Sequence, residues 1–219
     1  MEPFLALIDQ YGARWLSGLG WTFAMCLAGS ALAILLGLVI TVLQMSGNRL
    51  IGTACRAYIW LIRGTPFLVQ LFLLYYAAPS IGIRMDAVTV GGLGLGIYGS
   101  AYFAEIFRAG FIGIPVGQSE AATMLGFNNR QILLRIKLRQ MVTAAVPASI
   151  NQLIILIKES SVLSIITIPE LTTVTSAIAA ETFKVTEPYL IMALLYWIVV
   201  QAVAQLGLLI EKHTTEYLK

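Results

Sequence analysis

The sequence predicts an all-α, polytopic membrane protein of about five spans, from how its charges are spaced and how its apolar runs are built. Of 219 residues, 58% are hydrophobic and 11% charged, well under the roughly 25% charge of an ordinary globular domain. The charges are also clumped. None lies between Arg14 and Arg49, Arg63 and Arg84, Asp86 and Glu105, Arg139 and Lys158, or Glu187 and Glu211. Each gap accommodates a spanning helix, which needs about 20 apolar residues and works with about 17. The runs are continuously apolar and do not alternate every second residue. That favours helices over a barrel, because lipid forces a spanning segment to satisfy its own backbone groups.

The spans are expected near 20–44, 58–79, 88–111, 141–165 and 189–210, within one domain covering 1–219. No internal repeat, low-complexity tract or polar linker divides it. Gly91, Gly92, Gly94, Gly96 and Gly99 in the third span are read as packing residues that let helices approach closely. Tyr75, Tyr76, Trp21 and Trp197 are read as interface anchors or packing. The acidic first charges and the length of the first apolar run argue against a cleavable signal peptide.

Lys and Arg mark the cytoplasmic side of a membrane protein. The connections 45–57, 112–140 and 211–219 hold Arg49, Arg56, Arg130, Arg135, Lys137, Arg139, Lys212 and Lys219. The opposite side holds Arg14, Arg84 and Lys184 among the acids Glu2, Asp9, Asp86, Glu170, Glu181 and Glu187. An odd number of spans therefore puts the N-terminus outside and the C-terminus in the cytoplasm. With basic groups so placed, the net charge of +3 does not point to nucleic acid.

Several chemistries lack their residues. Cys26 and Cys55 fall far apart on this topology and are read as structural, and His213 is the single histidine. No haem held between histidines and no His/Cys metal cluster is expected. No GxxxxGK[ST] phosphate loop is present, so no covalent catalysis or ATP hydrolysis is assigned to this chain. Uphill movement of a solute then draws on a partner or an ion gradient.

The two long connections are 112–140 and 166–188, and long connections in compact domains are usually functional. The first reads IGIPVGQSEAATMLGFNNRQILLRIKLRQ. Pro115 and Gly117 end the third span, Ser119 is positioned to cap a short helix, and Glu120 falls in its first turn, where the helix dipole favours an acid. Gly126 stops that helix, and Asn128 with Gln131 forms a second start of capping-box type. The expectation is a short helix, a turn, and a helix leading into the fourth span. The short helix serves as a surface helix or as a docking knob for a cytoplasmic protein.

This segment resembles the EAA loop of bacterial ABC-importer permeases, through Glu120, Ala121, Ala122 and Gly126. Tyr102, Glu105, Arg108, Ala109, Gly110, Pro115, Gly117 and Gln118 extend the likeness into the polar amino acid branch of that family. So do RGTPFLVQLFLLYY, from Arg63 to Tyr76, and KESSVLSIITIPEL, from Lys158 to Leu171. The blocks cover about half the chain in the family's order. Two positions depart from its pattern: Leu138-Arg139-Gln140 replaces Leu-Pro-Gln, softening the expected break before the fourth span, and Glu159 stands where Asp is usual. The resemblance implies a type I importer fold and a coupling helix at 118–126, with Gln118, Glu120, Ala121, Ala122 and Gly126 facing the ATPase. Implied partners are a cytoplasmic ATPase dimer that binds ATP and Mg, a second permease copy or a homologous permease, and a periplasmic or surface amino-acid-binding protein. Membrane lipid is the remaining partner, and no cofactor is implied for this chain.

Charges within spans are costly and therefore candidates for function. At about 1.5 Å per residue, Arg63 and Glu105 both fall in the cytoplasmic half, as a structural ion pair or an inner gate. Lys158 and Glu159 fall toward the external half. Neighbours on a helix point about 100° apart, so they are positioned to meet the carboxylate and ammonium of a zwitterion instead of each other. Ser160, Ser161, Asn151 and Gln152 from the same helix, and Gln70 from the second span, complete a candidate substrate pathway; the alternative is mutual satisfaction of these groups across a subunit interface. The function expected is an ATP-driven permease for polar amino acids in a bacterial inner membrane. The rival is an ion-coupled secondary transporter of small zwitterions.

Overall fold

The computed structural model describes residues Glu2–Thr215, and every regular element among them is helical. Lys219, counted with the basic side, lies outside the described residues. Helix α1 runs Glu2–Gln44, 43 residues, so the first span extends a long way toward the N-terminus from residue 20. Helices α2 (Arg49–Arg63) and α3 (Phe67–Phe72, prolonged to Ile81) are bent by 104° at a short break. The span expected at 58–79 is therefore a broken one. Pro66 removes a backbone donor and disfavours helix at the residue before it, and Gly64 lies so close to the Trp60 carbonyl that a Cβ there would sit 2.8 Å from it.

Helix α4 (Ala87–Ile112) is capped by Asp86, whose side chain accepts from the Thr89 amide. It forms the centre of the bundle and packs chiefly on α1. A Cβ on Gly96 would lie 2.5 Å from Leu32 Cδ2, and one on Gly99 would lie 2.7 Å from the Ala33 Cβ. The close packing expected of this glycine run is present, and Phe103, Leu71, Leu95, Leu156 and Leu163 fill the core around it.

After α5 (Val116–Met124), the chain enters α6 (Asn129–Gln131), a wide helical turn at Ile132–Lys137 and α7 (Leu138–Glu159), followed by a tight turn to Ile166. These pieces form a single continuous rod from Asn129 to Ile166, with no break at Arg139. The stretch 166–188, expected to be an external loop, holds a further helix, α8 (Leu171–Thr182), and α9 (Thr186–Thr215) closes the fold. Among the described residues four helices are long and apolar enough to cross a membrane, or five elements if the bent pair counts as one.

Candidate functional site

The basic end of the bundle gathers the end of α1, helix α5 and the start of the α6–α7 rod around one cleft, which includes Met45, Glu120, Asn129 and Lys137. Helix α5 is nine residues long. It begins at Val116 after Pro115, not at Ser119: proline supplies a preset φ and lacks the amide that a first turn leaves unpaired, so Ser119 lies inside the helix. Its end is as expected. Gly126 has φ +83°, its amide donates to Thr123 O, and the Phe127 amide donates back to Ala122 O, the paired bonds of a glycine-terminated helix. Asn128 and Gln131 form the reciprocal capping box. Ala122 is buried, while Glu120, Ala121 and the large apolar Val116, Met124 and Leu125 are exposed. The Gln140 amide nitrogen donates to Gln118 Oε1 at 2.6 Å, tying the knob to α7.

Within the same half of the bundle, two adjoining cavities of about 650 and 660 Å³ share Arg63, Tyr102, Glu105 and Arg108. One opens past Gln44, Arg56 and Trp60; the other reaches Asn151 and Gln152. Of the two sequence readings of Arg63 and Glu105, ion pair or inner gate, the ion pair is not formed. Glu105 takes Arg108, three residues on and one helical turn away, at 2.7 and 2.8 Å, because a partner on the same helix face needs no second helix to be positioned. Arg63, freed by the corner, lies over the Tyr102 ring at 5.1 Å. The cavity wall thus presents guanidinium groups beside a single carboxylate, a polar surface inside an apolar bundle. Gln152 is buried, and its amide nitrogen has no partner among the described residues.

The remaining candidate residues divide. Asn151 and Gln152 reach the second cavity, but Gln70 does not join them: its amide donates to Ile62 O, Thr65 O and Thr65 Oγ1 at 2.8–3.1 Å, so it staples the corner between α2 and α3. Lys158 is exposed and Glu159 half-buried, and the two do not pair. The Ser160 and Ser161 hydroxyls donate to Ile157 O and Lys158 O of their own helix.

Sequence reasoning missed the other end. Glu170, placed there as an outer-side acid, is fully buried and caps α8: its carboxylate accepts from the Thr172 and Thr173 amides at 2.9 and 2.8 Å and from the Tyr196 hydroxyl at 3.1 Å. Burial raises its carboxyl above the ordinary range, against those hydrogen bonds. Arg14 meets Glu181 at 2.6 and 2.9 Å, and the Trp15 indole donates to Thr175 Oγ1 at 3.0 Å. Glu at an N-cap is a weak sequence signal; the two Thr residues following it are the clue that was available.

Comparison with known proteins settles the family. The model of the binding-protein-dependent transport system inner membrane component family matches residues 10–215. The chain belongs to that family. It is 35% identical over 202 residues to a probable amino-acid ABC transporter permease of Bacillus subtilis, covering 92% of this chain and 89% of that one. It is 34% identical over 188 residues to a putative glutamine transport system permease of Rickettsia conorii, covering 84% and 86%. Among solved structures, an amino acid ABC transporter crystallised with histidines superposes with a TM-score of 0.90 at 34% identity, covering 96% of this chain and 98% of that one. The MetNI methionine transporter superposes at 0.81 with 19% identity over 94% and 99%, a likeness of fold. The chain is thus a membrane-embedded permease component with the type I importer fold that its EAA-like segment implied.

Proposed function

We propose that this permease carries polar amino acids inward across a bacterial inner membrane, supplied by a solute-binding protein outside and driven by an ATPase dimer at its basic, cytoplasmic end. The observation that carries the reading is α5. It is a short helix with a fixed glycine stop, anchored through Gln118 and Ala122, that exposes Val116, Met124, Leu125 and Glu120 on the side where basic residues collect. Exposed apolar side chains on a rigid knob suit a groove in a protein partner. ATP and Mg belong to that partner, and hydrolysis with them. The amino-acid cargo is supported by the amino-acid permeases to which the chain is similar and by the cavities, whose shared wall sets Arg63 with the Glu105–Arg108 pair and so offers groups of both signs to a zwitterion. Asn151 and Gln152 continue this path, and Lys158 and Glu159 lie beyond them toward the α8 end, on the expected substrate route. A second permease, identical or homologous, completes the pathway.

Proteoliposomes containing the permease, its ATPase and its binding protein test this. Uptake of labelled amino acid is expected only with internal-facing ATP and external binding protein together. Uptake driven by an ion gradient in vesicles of the permease alone would establish the secondary-transporter alternative.

A further inference from the structure

Below the crossing of α7 and α9 the two helices separate. They touch at Gly207, where an added Cβ would collide with Ile150. Toward the basic end a groove of about 700 Å³ opens between them. One wall is a stripe of Leu134, Leu138 and Val142; beside it run Arg135, Arg139 and Thr143, and Thr214 of α9 lies opposite. Both stripes repeat every four residues, so each keeps to one face of the rod. Both arginines are exposed, and neither is in an ion pair among the described residues.

The depth of this groove follows from the packing. Met141 lies against Gly110, two residues before α4 ends at Ile112. Arg139 and Arg135 therefore sit near and beyond the level at which α4 ends. The outer side is open: Leu134 and Val142 are exposed along with the two arginines.

We propose that this groove binds the headgroup of an anionic phospholipid, with the Arg135 and Arg139 guanidiniums on the phosphodiester oxygens and Leu134, Leu138 and Val142 along the acyl chains. A planar guanidinium matches phosphate oxygens in a two-point fork. Basic pockets between spanning helices at the cytoplasmic side suit anionic headgroups. Two charges beside an apolar stripe, at the level where hydrocarbon meets water, match a molecule that is anionic at one end and apolar at the other. The inference does not depend on the transported solute.

The test uses the full-length permease, delipidated in neutral detergent and titrated with phosphatidylglycerol or cardiolipin, with retained lipid read by native mass spectrometry. Phosphatidylcholine and free glycerol phosphate serve as controls. Anionic lipid is expected to be retained in preference to phosphatidylcholine and not displaced by glycerol phosphate. The Arg135→Gln/Arg139→Gln variant is expected to bind on the order of tenfold more weakly, and the corresponding double Lys variant to keep most of the binding. Each single Gln variant should show a smaller loss, which covers the case where the double variant fails to stay monodisperse. Equal retention of both lipid classes, or wild-type binding by the Gln variants, overturns the proposal. Displacement by glycerol phosphate assigns the groove to a soluble anion instead. Wild-type lipid binding together with loss of the ATPase from the double Gln variant assigns it to the protein partner, and either result equally overturns the lipid site.

Discussion

At the end of the bundle formed by α8 and the first turns of α1, charged and buried polar groups answer one another, whereas at the end formed by α5 and the start of α7 the charged groups face outward. The first end holds a bidentate Arg14–Glu181 pair, an indole bonded to Thr175 and a buried carboxylate with four donors. The second holds an exposed apolar knob and exposed Arg130, Arg135 and Arg139, none of them in an ion pair among the described residues. The difference separates residues that hold the permease together from residues available to something else. Substitutions at the α8 end should lower stability, and substitutions at the α5 end should spare stability and lower coupling.

The sharpest test of the first half is Glu170→Ala. It leaves the Thr172 and Thr173 amides without their acceptor in a largely buried place, where an unsatisfied group costs about 1–3 kcal/mol, and takes one of the two partners of the Tyr196 hydroxyl, so a total loss of roughly 3 kcal/mol is expected. A fluorescence-detected melt of the detergent-purified permease should show a clearly lowered transition. An unchanged melt would mean that water reaches α8 and that this end is not locked.

Gly126→Val probes the other half. A β-branched residue at φ +83° is strained by at least about 1–2 kcal/mol, but the strain falls on an exposed turn. The bundle should therefore melt as the wild type does, while ATPase association and ATP-driven uptake fall about tenfold or more. Glu120→Lys should share the phenotype more weakly. Wild-type uptake by both would reduce α5 to a surface helix.

Asn128→Ala is expected to cost about 1 kcal/mol, the usual value of a lost N-cap, confined to the α6 start: the Gln131 amide loses its Asn128 Oδ1 acceptor, while the bond from the residue-128 amide to Gln131 Oε1 has a backbone donor and is kept. Hydrogen exchange should rise at Asn129–Gln131 and stay unchanged in α4. Exchange spreading into α4 would show that the two ends are not independent.

These positions also show which parts of the molecule were legible in the sequence. The spans, the Gly126 stop and the Asn128–Gln131 box were legible because each rests on a local pattern: an apolar run, a positive-φ glycine, a three-residue spacing. The corner at Gly64–Pro66 was written in the sequence but overridden by the charge-free run after Arg63, which suggested one straight span. Helix α8 was hidden because its twelve residues are too few for a span and rich in Thr, a composition shared with loops. The partner of Glu105 was misjudged because a pairing across helices was weighed before the pairing one turn along the same helix. Of the site, the sequence names the arginines and carboxylate of the cavity wall but not its shape, since the corner that carries Arg63 to Tyr102 is a product of packing.

The smallest expected effect belongs to Arg14 and Glu181, and it carries a pH signature. The Glu181 carboxyl is exposed and held below its ordinary value of 4.5 chiefly by its hydrogen bond to Arg14. A carboxylate whose folded-state pKa is depressed adds stability that is fully present above its unfolded pKa and disappears as pH falls through the folded one. The pair should therefore contribute at neutral pH and fade below pH 4.5, and because it is solvent-exposed the contribution should be small and weakened by salt. A double-mutant cycle of Arg14→Ala and Glu181→Ala, followed by melting at neutral and acid pH, reads it directly. A positive coupling at neutral pH that vanishes in acid supports a tether between α1 and α8. A coupling that persists in acid would show that Arg14 holds α8 through packing of its aliphatic stem, and that the α8 end is locked by burial and the Glu170 cap without help from charge.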